Sequence, residues 1–207
     1  MKTKSKALLL ALCAVLLVAA SVLGTLAYLT DTKTVTNTFT VGEDVTIKLD
    51  EAKTDENGVE VTPEERVTGN KYKLLPGHTY AKDPTVQVTG EDCYVFVTVN
   101  NGISKIEATG DTTIAAQMAK NGWVAVDGYT DLYIYNVSEN ADKTVVAKTT
   151  DLVVFETFTV KDDAVHNDLN AVKNSQIVIN AYAVQKDGFE NKTPADIWAT
   201  VFTTQEG

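Results

Sequence analysis

The chain has 207 residues, with 18 Lys and Arg against 28 Asp and Glu and a formal net charge of −10. A surface this acidic repels nucleic acid and anionic lipid, and no basic patch interleaved with aromatics counters it, so no nucleic-acid partner is expected. The length suits one β-sandwich and is short for two ordinary domains.

The first element is an export signal. Lys2, Lys4 and Lys6 form a basic tip, Leu8 to Leu26 an apolar run, and Thr25-Leu26-Ala27 the small-x-small pattern that a signal peptidase cleaves. Residues 1–27 therefore read as a signal peptide, cut between Ala27 and Tyr28, with membrane contact confined to it before cleavage and a secreted or cell-surface product. An uncleaved anchor is the competing reading, because the run approaches the ~20 residues that span a bilayer. The small residues of its second half, with no basic cluster after them, favour cleavage. Removing 27 of 207 residues leaves 180, and losing three lysines takes the charge from −10 to −13. Cys13 leaves with the signal, so Cys93 has no intramolecular disulfide partner.

Residues 28–42 form the mature N-terminal strand. From Thr34 to Val41, Val35, Asn37, Phe39 and Val41 share one face and four threonines the other. Such a strand requires a buried face and a partner for its main chain. Two readings stay open: it folds back as the first strand of its own sandwich, or it adds to the sheet of a neighbouring copy. Asn37 interrupts the apolar face in either case.

Residues 43–207 carry short alternating or β-branched runs: Val45 to Leu49, Thr85 to Thr89, Tyr94 to Val99, Trp123 to Val126, Leu132 to Tyr135, Lys143 to Ala147, Leu152 to Val160 and Gln176 to Gln185. Turn pairs such as Asn57-Gly58, Pro76-Gly77, Asn121-Gly122 and Asp187-Gly188 separate them, the signature of an all-β sandwich or barrel. Helix is minor. It is expected over Thr113 to Lys120, over Ala164 to Lys173, and after the capping pair Thr193-Pro194, where Ile197, Trp198, Val201 and Phe202 form a stripe that closes an end or edge of the sandwich. Glu43 to Arg66 holds nine carboxylates against three basic residues, and Asp50 to Asn70 reads as a solvated loop or long hairpin. Cys93 alternates with Val95 and Val97 and reads as a small core residue.

No catalytic, cofactor-binding or metal constellation emerges. There is no His-Glu-x-x-His pair and no phosphate-cradling glycine motif. No serine sits in a Gly-x-Ser-x-Gly elbow. The two histidines, His78 and His166, lie 88 positions apart, and a catalytic zinc normally takes three protein ligands. Asp55-Glu56-Asn57-Gly58 lacks the spacing of a twelve-residue calcium loop and reads as a solvated turn. Asn136-Val137-Ser138 is a formal glycosylation sequon, not expected to be used. The chain is expected not to be an enzyme and to need no cofactor.

Gly24-Thr25-Leu26-Ala27-Tyr28-Leu29-Thr30-Asp31, with Val35-Thr36-Asn37-Thr38-Phe39-Thr40-Val41-Gly42, resembles the signal and mature start of the TasA/camelysin family. Leu75-Pro76-Gly77, Lys82-Asp83-Pro84-Thr85-Val86 and Asn180-Ala181-Tyr182-Ala183-Val184-Gln185 extend the resemblance more faintly, to about a third of the chain. The resemblance implies export from a Gram-positive bacterium and cleavage by a signal peptidase of the SipW type. It also implies a jelly roll, where the residues alone imply a single antiparallel β-sandwich with short peripheral helices. The function it implies is a structural subunit of extracellular biofilm-matrix fibres whose partner is a further copy of itself. A monomeric surface adhesin or binding module is the alternative. The metallopeptidase activity described for camelysin-like relatives ranks third, because no residues here carry it over.

Overall fold

The computed structural model describes residues 30–34, 45–147 and 149–203, which form an antiparallel β-sandwich with three short helices around it. Strands are numbered along the chain. One sheet has the spatial order β1 (Thr30–Thr34), β11 (Ile177–Gln185), β6 (Cys93–Asn101), β8 (Leu132–Tyr135) and β7 (Trp123–Ala125). The other has the order β3 (Glu60–Val67), β2 (Ile47–Thr54), β5 (Thr85–Val88) and β9 (Thr150–Val153). A separate ribbon pairs β4 (Thr79–Ala81) with β10 (Thr157–Thr159). All these pairings are antiparallel. The chain crosses repeatedly between the two main sheets and sets its first described strand beside its last, which gives the jelly-roll-like course.

The core follows from the side-chain period of two. Val95, Val97 and Val99 of β6 and Ile179, Ala181 and Ala183 of β11 point inward, where they meet Ile47, Leu49, Val86 and Val88 of the facing sheet in one buried cluster. The alanines of β11 leave room for larger neighbours such as Trp123 and Phe155, both buried in the same cluster. Trp123 Nε1 donates to Val153 O at 2.9 Å, so its indole fills the core without an orphaned donor.

The C-terminal stripe lies elsewhere than at an end or edge. Helix α3 (Pro194–Val201) covers the outer face of the five-stranded sheet. Phe96, Leu132, Ile134 and Val184 make that face as apolar as the inner one, so it too requires a cover. Ile197 and Val201 supply it with Trp198, whose ring stands edge-on to Tyr182 at 4.8 Å. Thr193 Oγ1 accepts from Asp196 N at 3.2 Å and Pro194 occupies the first turn, as their order in the sequence implies. Lys143 fixes the approach to this helix: its Nζ donates to Glu190 O at 3.2 Å and Lys192 O at 2.6 Å and stands 5.2 Å from the centre of the Tyr94 ring.

The other helices fall inside their expected spans. Helix α1 (Ile114–Lys120) starts where Thr113 Oγ1 accepts from Ala116 N and buries Ile114 and Met118. Helix α2 (His166–Ala171) is a short turn whose Asp168 carboxylate accepts from Val165 N at 3.2 Å.

One further expectation changes. Asp50 to Asn70 is a long hairpin, β2 to β3, but it is not solvated throughout: Asp50 and Glu51 are each only 3 % exposed. Gly58 forms its turn at φ 76°, and a Cβ there would come within 2.7 Å of Tyr80 Cα, so a side chain is excluded both by backbone and by space. Of the N-terminal strand expected over residues 28–42, Thr30–Thr34 is described and pairs with β11 of its own chain, and the run from Val35 to Val41 lies outside the described residues.

Cys93 is fully buried at the start of β6, as the alternation implies, and desolvation pushes its thiol up to about 12. At pH 8 the thiol is therefore neutral and shielded. Iodoacetamide is expected to leave the native chain unlabelled and to modify Cys93 fully in denaturant; rapid native labelling contradicts this placement.

Candidate functional site

On one side of β11 all nine residues pair with β6; on the other, the described pairing is with β1, over Asn180 to Val184.

Ile177, Val178 and Ile179 of β11 form one wall of a cleft of about 840 Å³. Leu49, Leu74, Ile103 and Phe158 make much of the remainder apolar. Its polar lining includes Asp50, Thr68, Lys71 and the run from Lys173 to Gln176, and a buried group of Glu51, Asn70, Tyr72 and Lys82, which converge from β2, the segment after β3 and the segment after β4. Glu51 has the parity of Ile47 and Leu49 on β2 and so points with them to the interior.

Glu51 is the centre of this group. One carboxylate oxygen accepts from Asn70 Nδ2 at 2.8 Å, and the other pairs with Lys82 Nζ. The pair is buried, with side-chain exposures of 4 % for Glu51 and 9 % for Lys82. Asn70 is held on its other side, accepting from Thr54 N at 2.9 Å and donating to Ala52 O at 2.8 Å. Tyr72 donates to Ala81 O at 3.0 Å, and desolvation, reinforced by the charge of Glu51, drives its phenol well above the usual range. Its ring meets Phe158 and Tyr80 edge-on at 5.0 and 5.7 Å. The cleft thus has a fixed polar floor set in aromatic packing.

A second charged lock holds the outer side of β2. Arg66 donates to Asp50 Oδ1 at 2.5 Å and to Asp83 Oδ2 at 2.9 Å, and its remaining guanidinium nitrogen donates to the carbonyls of both residues. Asp83 Oδ1 accepts from Ala52 N at 2.6 Å. Burial works against the Arg66 charge, but the two carboxylates outweigh it and raise its pKa. Lys48 adds an ion pair to Asp50 at 2.5 Å. Through Asp83 this lock fixes the residue beside Lys82, and through Asp50 the residue beside Glu51.

The residues singled out in the sequence fall in several places. Ala27 and Tyr28, and the strand residues Val35, Asn37, Phe39 and Val41, lie outside the described residues. His78 Nε2 is hydrogen-bonded to Asn57 O at 2.8 Å and its ring packs edge-on against Tyr80. His166 opens α2. Asp55 Oδ1 accepts from the backbone N–H groups of Val59 and Asn57, each at 2.9 Å, bonds that lower its pKa and close the β2–β3 turn. Asn136 is engaged within its loop, donating to Ala141 O at 2.9 Å. Among the described residues no three His, Cys, Asp or Glu side chains cluster as a metal site, and no helix is long and apolar enough to cross a membrane.

No family model matches the chain, and no curated protein or solved structure matches it either.

Sequence reasoning missed the polar floor. Glu51 and Asn70 belong to the stretch read as a solvated loop or long hairpin, and Lys82 was given no role of its own. The available signal was positional: Glu51 continues the inward series Ile47 and Leu49, which a solvated carboxylate has no reason to do.

Removing one member of a buried ion pair strands the other. Lys82→Met is expected to cost about 3–5 kcal/mol of stability, and adding Glu51→Gln should recover a large part of it. Urea denaturation of both variants checks the order; equal stability of Lys82→Met and the parent contradicts a buried pair.

Proposed function

We propose that this chain is a secreted structural subunit of extracellular biofilm-matrix fibres, assembling by addition of its mature N-terminal strand to the sheet of the next copy. The observation that carries the reading is that the N-terminal strand β1 pairs antiparallel with β11, the strand from the other end of the chain, so the same pairing is available to the N-terminal strand of another copy. The alternating sequence from Thr34 to Val41 has the pattern of a strand with one buried face.

The energetics support assembly. Each backbone hydrogen bond regained contributes about 1 kcal/mol net, and each large apolar side chain buried contributes about 1.5–3 kcal/mol. A strand with Val35, Phe39 and Val41 on its inner face therefore offsets a sizeable entropy of association. While the signal peptide holds the segment at the membrane, the strand has no access to another copy, so cleavage at Ala27 licenses assembly. The similarity to the TasA/camelysin family supports the same context and a SipW-type processing peptidase.

The second reading is a monomeric adhesin or binding module. It draws on the pairing of β1 with its own β11, which on this view is the permanent state of the strand. The camelysin-like metallopeptidase reading finds no ligand set among the described residues.

Filament formation separates these readings. The secreted chain is expected to start at Tyr28 by mass spectrometry and to form concentration-dependent filaments in negative-stain images. Phe39→Asp should abolish the filaments while leaving the monomer's melting temperature within a few degrees of the parent. Filaments that survive deletion of residues 28–41, or a monomer unfolded by Phe39→Asp, assign the strand to its own sandwich and overturn the proposal.

A further inference from the structure

Two reactive side chains meet on one buried carboxylate. Glu51 holds the Lys82 ammonium on one oxygen and the Asn70 carboxamide on the other, with Nδ2 at 2.8 Å. An amine and a carboxamide are the two halves of an amide exchange, and a carboxylate between them is placed to move its protons. Side-chain exposures of 4 % for Glu51 and 9 % for Lys82 hold bulk water back from this contact.

Each partner is also held from a second side. Asn70 Nδ2 donates to Ala52 O at 2.8 Å, and Asn70 Oδ1 accepts from Thr54 N at 2.9 Å. That N–H lies where negative charge collects on the carboxamide oxygen when Cγ is attacked, the position of an oxyanion donor. Lys82 is pinned through its backbone, its N donating to Glu156 O at 3.0 Å. On either side of it, Ala81 O accepts from Tyr72 and Asp83 is locked by Arg66. The packing of Tyr72 against Phe158 sets the group among aromatic rings. Geometry fixed in this way removes most of the entropy that a reaction between free groups would lose.

We propose that Lys82 and Asn70 join in an intramolecular isopeptide bond, with Glu51 as the catalytic base and acid. Glu51 takes a proton from the Lys82 ammonium, and the free amine attacks Asn70 Cγ. The Nζ–Cγ bond forms and the Cγ–Nδ2 bond breaks, its electron pair leaving with the nitrogen. Two protons leave Nζ in all. One passes by way of Glu51 to Nδ2, which departs as ammonia; the other stays on Glu51, so no unpaired charge is left buried. No oxidant or further reactant is consumed. The bond closes residues 70–82 into a covalent ring around the Pro76-Gly77 turn. This staple is independent of Cys93, which is buried and unpaired, and its chemistry does not depend on whether copies assemble.

Intact-mass measurement of the folded chain, followed by peptide mapping, tests the bond. The parent is expected to be lighter by one ammonia than its sequence from the observed N-terminus onward. Trypsin should then fail to cut after Lys82 and release a branched peptide joining residues 67–71 to residues 74–105. Lys82→Arg keeps a charge opposite Glu51 but no nucleophilic amine, so it should fold and retain the full mass. Asn70→Ala and Glu51→Gln should retain it as well. A folded parent at full mass, or one lighter by an ammonia that yields only linear peptides, overturns the inference. So does a Glu51→Gln chain cross-linked to the same extent as the parent.

Discussion

The pairing of β6 with β11 is the interaction on which the rest of the molecule depends. Nine residues of each strand run antiparallel without a break, from Cys93 opposite Gln185 to Asn101 opposite Ile177. The inward side chains of this pair build half of the sandwich core, and the outward ones build the floor on which α3 rests. The far edge of β11 is where β1 attaches and where the cleft opens. Two strands in the centre of one sheet thus determine the core, the outer layer and the candidate site together. A cavity in β6 weakens all three, whereas a change in the peripheral β4–β10 ribbon stays local.

The cleft owes its character to a conflict between charge and burial. Glu51 stands where the inward alternation of β2 calls for an apolar residue, and Lys82 and Asn70 satisfy its carboxylate there. The Arg66 lock with Asp50 and Asp83 holds the neighbouring backbone so that this arrangement is held rigid.

Much of this was legible in the sequence, and what was not has physical reasons. Strands over Tyr94 to Val99, Leu132 to Tyr135 and Gln176 to Gln185 follow from alternation and turn residues. The caps at Thr113 and Thr193 follow from local hydrogen bonding, which needs no knowledge of the tertiary fold. The burial of Glu51 is different, because its partner Lys82 is 31 positions away and a one-dimensional pattern does not bring them together. The seat of α3 was missed for a similar reason. A stripe of Ile197, Trp198, Val201 and Phe202 shows that something apolar is covered, and only the assembled sheet shows that it is an outer face.

The contact between the two chain ends has a kinetic consequence. Thr30 pairs with Val184, 154 positions later, so β1 closes the longest loop among the described strand pairings. Contacts of such high sequence separation form late, because the entropy of loop closure must be met before they contribute. For a chain synthesised from its N-terminus, β11 is the last of the described strands to emerge. The first strand therefore spends the whole of synthesis without its own partner edge, while β2, β3 and β5 already have theirs. Completion of the sheet is a terminal event in folding, set by the arrival of residues 177–185 and not by the intrinsic speed of hairpin formation.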